Sequence, residues 1–231
     1  MLTRRFRKLR ARSFGRVLGR SEDGLAMTEF AFALPILLTL GLVGLEVAWL
    51  TLAHLKVSNI AMMTADNAAR VRDGIDEGNV SELFTGARLA GAGMNFAPRG
   101  RIILYSIEPK TSGPAGQWIR WQRCFGSKVV VPTYGRPMNA GGTAITNGTE
   151  ESAPSSGNSS TSTAYGPAGN QIAAQAGTAV NMAEVFYDYQ PLLAGNLLGD
   201  ITIRRTAAFN VRQRTNQVLT NRNGGARAAC N

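Results

Sequence analysis

The chain has 231 residues, 44% of them hydrophobic, with 25 Lys and Arg against 15 Asp and Glu and a net charge of +10. That length holds one ordinary domain plus an anchor, and the apolar content suffices for a core. The charge is placed wrongly for a nucleic-acid partner: residues 1–24 carry eight cations, from Arg4 to Arg20, against Glu22 and Asp23, a balance of +6 that leaves only +4 for the other 207.

The basic run leads into the stretch that governs the chain. From Phe30 to Leu45 every residue is apolar or small except Thr39, and apolar character resumes after Glu46 through Ala53. This matches the ~20 residues a helix needs to cross the ~30 Å hydrocarbon core. The pattern predicts a basic cytoplasmic leader over 1–24, a transmembrane helix over 25–55 and an exported domain over 56–231, since Lys and Arg hold flanking segments on the cytoplasmic side. A secretory signal fits poorly: the apolar run is too long, and Trp49, His54 and Lys56 follow it in place of a small-x-small cleavage site. Two carboxylates need reasons, because a charge at bilayer depth costs about 2.5 to 3.5 kcal/mol. Glu29 lies at the interface and complements the helix macrodipole. Glu46 is deeper, and either meets a protein partner or sits close enough to the far surface to be wet.

Helical character continues past the apolar run. Ile60, Met63, Ala68 and Val71 fall on one face with Asp66, Arg70 and Asp73 off it, so one helix over 25–71, about 70 Å long, is expected. Val80 to Ala92 reads as a second, short helix starting at Ser81 and ended by Gly91 and Gly93. Strands are expected over 100–107 and 117–125, joined as a hairpin by the turn at 113–116, then over 184–190 and 200–212. In the second strand Trp118, Arg120 and Gln122 are expected on one face and Ile119, Trp121 and Arg123 on the other. In the last, Ile201, Ile203 and Phe209 point inward while Thr202, Arg204 and Arg212 stay wet. Between them, residues 139–170 turn to Gly, Ser, Thr, Asn and Ala without periodicity, which predicts a long flexible surface loop. The expected class is α+β, one long helix with about four antiparallel strands.

Chemistry is sparse. His54 is the sole histidine, and no phosphate-binding loop, zinc-protease motif or nucleophile elbow occurs. Asp66, Asp73, Asp76 and Glu77 read as a solvated face. No catalytic residue, metal or cofactor is expected. Export permits Cys124 and Cys230 to pair, closing a loop of about 107 residues worth about 4.7 kcal/mol in the chain-entropy picture, and two unpaired thiols are the alternative.

One resemblance organises these observations. Gly24-Leu25-Ala26-Met27-Thr28-Glu29-Phe30 ahead of a long apolar helix resembles the processing site of the type IV pilin class. The Glu-Phe pair, Leu34-Pro35 in the first helical turns and the second carboxylate at Glu46 resemble more narrowly the TadE/TadF-like pseudopilins, minor pilins of the tight-adherence (Flp) pilus system. Trp121-Gln-Arg-Cys124 is similar to the mid-domain strand carrying their first cysteine, and 183–191 with 201–209 to their C-terminal strand pair. The resemblance implies a pilin-like exported domain in the periplasm, a single pass through the bacterial inner membrane, and a cut by a prepilin peptidase after Gly24 that leaves Glu29 as the fifth residue. It implies other pilins and pseudopilins, an inner-membrane assembly platform and membrane lipid as further partners, in pilus assembly and surface adhesion. Two other readings fit the residues: an uncleaved single-span protein whose exported domain scaffolds an envelope complex, and a tethered module that binds a sugar or surface through Trp118, Trp121 and the polar loop.

Overall fold

The computed structural model describes residues 23–110, 115–139, 143–145, 162–193 and 199–230. Nearly all of the basic leader, the first half of the turn at 113–116, most of the polar loop near 139–170 and the middle of the connection at 192–199 lie outside the described residues. The chain divides into two compact units, Met1–Ala48 and Trp49–Asn231.

Helix α1, Asp23–Arg70, is 48 residues long with Pro35 inside it. Pro35 has no N–H, so the Ala31 carbonyl loses its usual donor, while Thr39 Oγ1 donates back to the Pro35 carbonyl at 2.7 Å. In the first unit, residues 24–45 are exposed throughout. This helix is long and apolar enough to cross a membrane.

The second unit is an α+β domain. The last five turns of α1 contribute Ala53, Val57, Ile60, Ala61, Ala65 and Ala68 to its core, a stripe at helical spacing. The buried apolar stripe therefore begins at Ala53, inside the segment assigned to the span, and Ala61 and Ala65 replace half-buried Met63 in it. The last-turn carbonyls of α1 are met by the C-terminal segment: Arg214 Nη1 donates to the Ala68 and Val71 carbonyls at 3.3 and 3.4 Å, and the Arg212 amide to Ala69 at 3.3 Å.

Next come β1, Ile75–Asp76, and α2, Glu77–Ala90. The sequence pattern puts the start of this helix at Ser81, but Asp76 and Asn79 form a reciprocal capping box four residues earlier. Gly78 donates its amide to Asp76 Oδ1 at 3.0 Å, and the Asp76 amide donates to Asn79 Oδ1 at 3.1 Å. A short helix α3, Phe96–Arg99, leads to strands β2, Gly100–Pro109, β3, Gln117–Phe125, β4, Val180–Asp188, and β5, Thr202–Asn210. These four form one sheet in the order β3-β2-β4-β5, each pair antiparallel. Strand β4 begins at Val180, earlier than expected, because Val180 and Met182 are buried beneath the covering loops.

One face of the sheet, with Ile102, Leu104, Val185 and Ile203, packs on α1 and α2. The other, with Ile103, Tyr105, Ile107 and Met182, lies under irregular chain that brings in Tyr165, Ala174 and Cys230. Both faces are thus buried, and polar-out alternation survives only in part. Strand β3 carries a correction: its register passes from Ser106↔Trp121 to Ile107↔Ile119, leaving Arg120 as an extra, bulged residue. A bulge reverses the facing of whatever precedes it, so Ile119 joins the loop-covered core and Trp121 the helix-side core rather than sharing a face.

Residues Leu219–Thr220 form β6, parallel to β1. This brings Thr220 Oγ1 and the Arg222 amide to 2.9 Å from Asp76 Oδ2. Hydrogen bonds from the Arg222 amide, then from Gly78 and Thr220, hold the Asp76 carboxyl below its ordinary pKa. A carboxyl depressed by folding adds stability that is complete above its unfolded pKa and is lost as pH falls through the folded one. Asp76→Asn keeps the cap but does not titrate. Its thermal midpoint should therefore fall less steeply than the parent's below about pH 4, as scanning calorimetry from pH 6 to pH 2 would show. Parallel curves would mean that Asp76 contributes nothing to acid unfolding.

Candidate functional site

The residues singled out in the first unit lie at the head of α1. A Cβ added at Gly24 would meet no heavy atom within 4 Å. Leu25 and Phe30 are 63% and 61% exposed. The Gly24–Leu25 peptide bond therefore stands in the open first turn. Leu25 and Glu29 are four apart and so share a helix face, and Thr28 Oγ1 donates to the Leu25 carbonyl at 2.8 Å between them. Glu29 is exposed. Glu46 differs: at 6% exposure it is the one buried residue of 24–48, which argues against the wet alternative.

In the second unit Cys124 and Cys230 are joined by a disulfide across 106 positions. The Cys124 amide also donates to the Ala228 carbonyl at 2.8 Å, and Trp121 Nε1 to the Gln217 carbonyl at 3.2 Å. The C-terminal segment is thus fastened to β3 by one covalent and two hydrogen bonds. Trp118 and Trp121 are 1% and 0% exposed. They are core residues, unable to stack on a ligand, which removes their part in the tethered-module reading, whose polar loop lies mostly outside the described residues.

The acidic cluster expected to be a solvated face is split by the fold. Glu77 is buried and receives Arg123 Nε on both carboxylate oxygens at 2.9 and 3.1 Å. Asp66 binds Arg70 and Arg212 on the surface at 2.7 and 2.9 Å. A second polar network sits under the loops: buried Glu184 accepts from Tyr105 Oη at 2.8 Å, Arg204 Nε at 2.7 Å and the Thr133 amide at 3.2 Å. Burial, and then the Glu184 charge, push the Tyr105 phenol upward, so it serves as a fixed donor. Arg214, 4% exposed, has its pKa lowered to about 10 by burial. His54 Nδ1 lies 2.9 Å from Arg205 Nη2, an arrangement that holds the imidazole in place on the surface. Sequence reasoning missed Glu77, Glu184 and Arg214, since nothing in their local pattern marks them as buried.

Among the described residues, no group of three or more His, Cys, Asp or Glu is placed to hold a metal ion. No protein-family model matches the chain, and neither a curated protein nor a solved structure does.

Proposed function

We propose that the chain is a TadE/TadF-like pseudopilin of the tight-adherence (Flp) pilus, anchored in the bacterial inner membrane by α1 with its second unit in the periplasm. A prepilin peptidase cuts it after Gly24. The observation that carries this reading is the head of α1, where an unobstructed Gly24–Leu25 bond and an exposed Glu29 one turn on open a helix whose apolar surface is exposed for twenty residues. Such a surface needs lipid or other helices around it. Before the cut, the leader of balance +6 pins the helix to the cytoplasmic face. After it, the new Leu25 amine and the Glu29 carboxylate are available to neutralise one another between adjacent subunits, where an unpaired charge would be costly. That contact sets the register of neighbouring helices. The partners on this reading are the peptidase, other pilins and pseudopilins, the inner-membrane assembly platform and lipid. The role is structural and not enzymatic.

Two variants separate the steps. Gly24→Arg should keep the leader when co-expressed with a prepilin peptidase, whereas Glu29→Ala should be cut at a rate closer to the parent's yet be absent from sheared filaments. If the parent and Gly24→Arg have the same N-terminus, the uncleaved, scaffolding reading takes over.

A further inference from the structure

The two edges of the four-stranded sheet differ. On β3 outward amides are taken by the chain itself: Cys124 donates to the Ala228 carbonyl at 2.8 Å and Gln117 to the Ser162 carbonyl at 3.0 Å. Strand β5 forms the other edge, and its register with β4 fixes which of its backbone groups face away from the sheet. The Val211 amide donates to the Ala179 carbonyl at 2.8 Å and the Tyr189 amide to the Ile201 carbonyl at 2.9 Å. Between these two bonds the pairing runs unbroken from Val180↔Asn210 to Asp188↔Thr202. Bonded and non-bonded pairs alternate in an antiparallel ladder. The odd-numbered residues of β5 therefore bond to β4, while Thr202, Arg204, Thr206, Ala208 and Asn210 turn their N–H and C=O groups outward.

The Arg204 carbonyl accepts Arg205 Nη1 at 3.1 Å. Among the described residues no other hydrogen bond reaches these outward backbone groups. The strand is nine residues long, with neither a proline nor a register shift to spoil it. An edge of this kind is a template for a further strand.

Two observations choose that strand. Helix α1 and β5 run side by side in the same direction, with His54 against Arg205 and Asp66 against Arg212. Symmetric antiparallel pairing of β5 with the β5 of a second copy would set the two α1 helices antiparallel, which copies anchored in one membrane cannot adopt; this step alone rests on the anchored reading. Head-to-tail pairing would need the β3 edge, which the chain already occupies. The strand therefore belongs to a different protein. The edge is also basic, since Arg204 and Arg205 are both exposed. Glu184 answers Arg204, whereas Arg205 meets the His54 imidazole and a carbonyl, and no carboxylate among the described residues. We infer that β5 takes an extended, acidic segment of a partner protein as a fifth strand, its backbone bonded to the outward groups of β5 and a carboxylate opposite Arg205.

The test uses the full chain in neutral detergent, titrated calorimetrically with three capped nine-residue peptides. One alternates valine with glutamate, one alternates valine with lysine, and the third is the glutamate peptide N-methylated at every amide, which keeps its charge and loses its donors. The glutamate peptide should bind, and the other two should give no heat. Thr206→Pro removes one outward N–H and leaves the ladder to β4 intact, a place where an edge strand tolerates proline; it should weaken binding at least about tenfold while the thermal midpoint stays near the parent's. Arg205→Gln should weaken binding of the glutamate peptide by itself. No binding, or equal binding by the N-methylated peptide, would overturn the edge as a docking site. Equal binding by the lysine peptide would overturn the acidic assignment, and self-association that Thr206→Pro abolishes would give the edge to a second copy instead. A chain that keeps its leader would give the same peptide results, so failure of the processing reading shows separately.

Discussion

Replacing Arg123 with methionine lowers the unfolding free energy of the second unit by about 3–5 kcal/mol, because it strands the Glu77 carboxylate in the core. The pair is closed to water on both sides, with side-chain exposures of 4% and 2%. Glu77 opens α2 and Arg123 stands on β3, so the bridge ties the second helix to an edge strand of the sheet. Arg123 also donates Nη1 to the Gln122 carbonyl at 2.9 Å, so the guanidinium is held before it meets its partner. Desolvation of two ions offsets most of their mutual attraction, and the double change Glu77→Leu with Arg123→Met should therefore recover most of the loss. Urea unfolding followed by the fluorescence of the buried tryptophans reads both effects. A single-variant loss under 1 kcal/mol would mean that water reaches the pair.

Breaking the Cys124–Cys230 bridge should cost up to about 4.7 kcal/mol, the loop-closure value for a crosslink spanning about 100 residues. What it releases is specific. The segment after β5 supplies β6, two of the contacts that hold Asp76, and the Arg214 guanidinium that satisfies the end of α1. Cys230→Ser, or reduction of the parent, should lower the thermal midpoint and open the Arg212–Arg227 stretch to trypsin while the sheet stays protected. Equal trypsin resistance with and without reductant would show that hydrogen bonds alone hold the segment down. Bridges of this kind persist in oxidising compartments, and the proposed periplasmic location would be one.

The elements legible in the sequence are those with long, regular patterns. The apolar run over 25–53 and the four β-branched, aromatic stretches translate directly into α1 and β2 to β5. What was not legible depends on contacts distant in sequence. The bulge at Arg120 puts Ile119 and Trp121 in different cores, and no local signal marks it. The strands β1 and β6 have two residues each and form only because the C-terminal segment is drawn back to Ile75. Asp76 and Glu77 look like two surface acids until one is seen to cap α2 and the other to face Arg123. The start of α2 was readable in principle, since Asp76 and Asn79 have the spacing of a capping box, but Ser81 stood nearer the apolar residues. At the head of α1 the candidate residues were found by resemblance, and local geometry adds only that they are accessible.

On the proposed function, a cut on the inner side of the membrane converts an anchored subunit into one that can polymerise. Intact mass and N-terminal sequencing of the protein taken from cell envelopes test it most directly. A chain beginning at Leu25 with a free amine is the expected result; a chain that still carries its arginine-rich head would contradict the account.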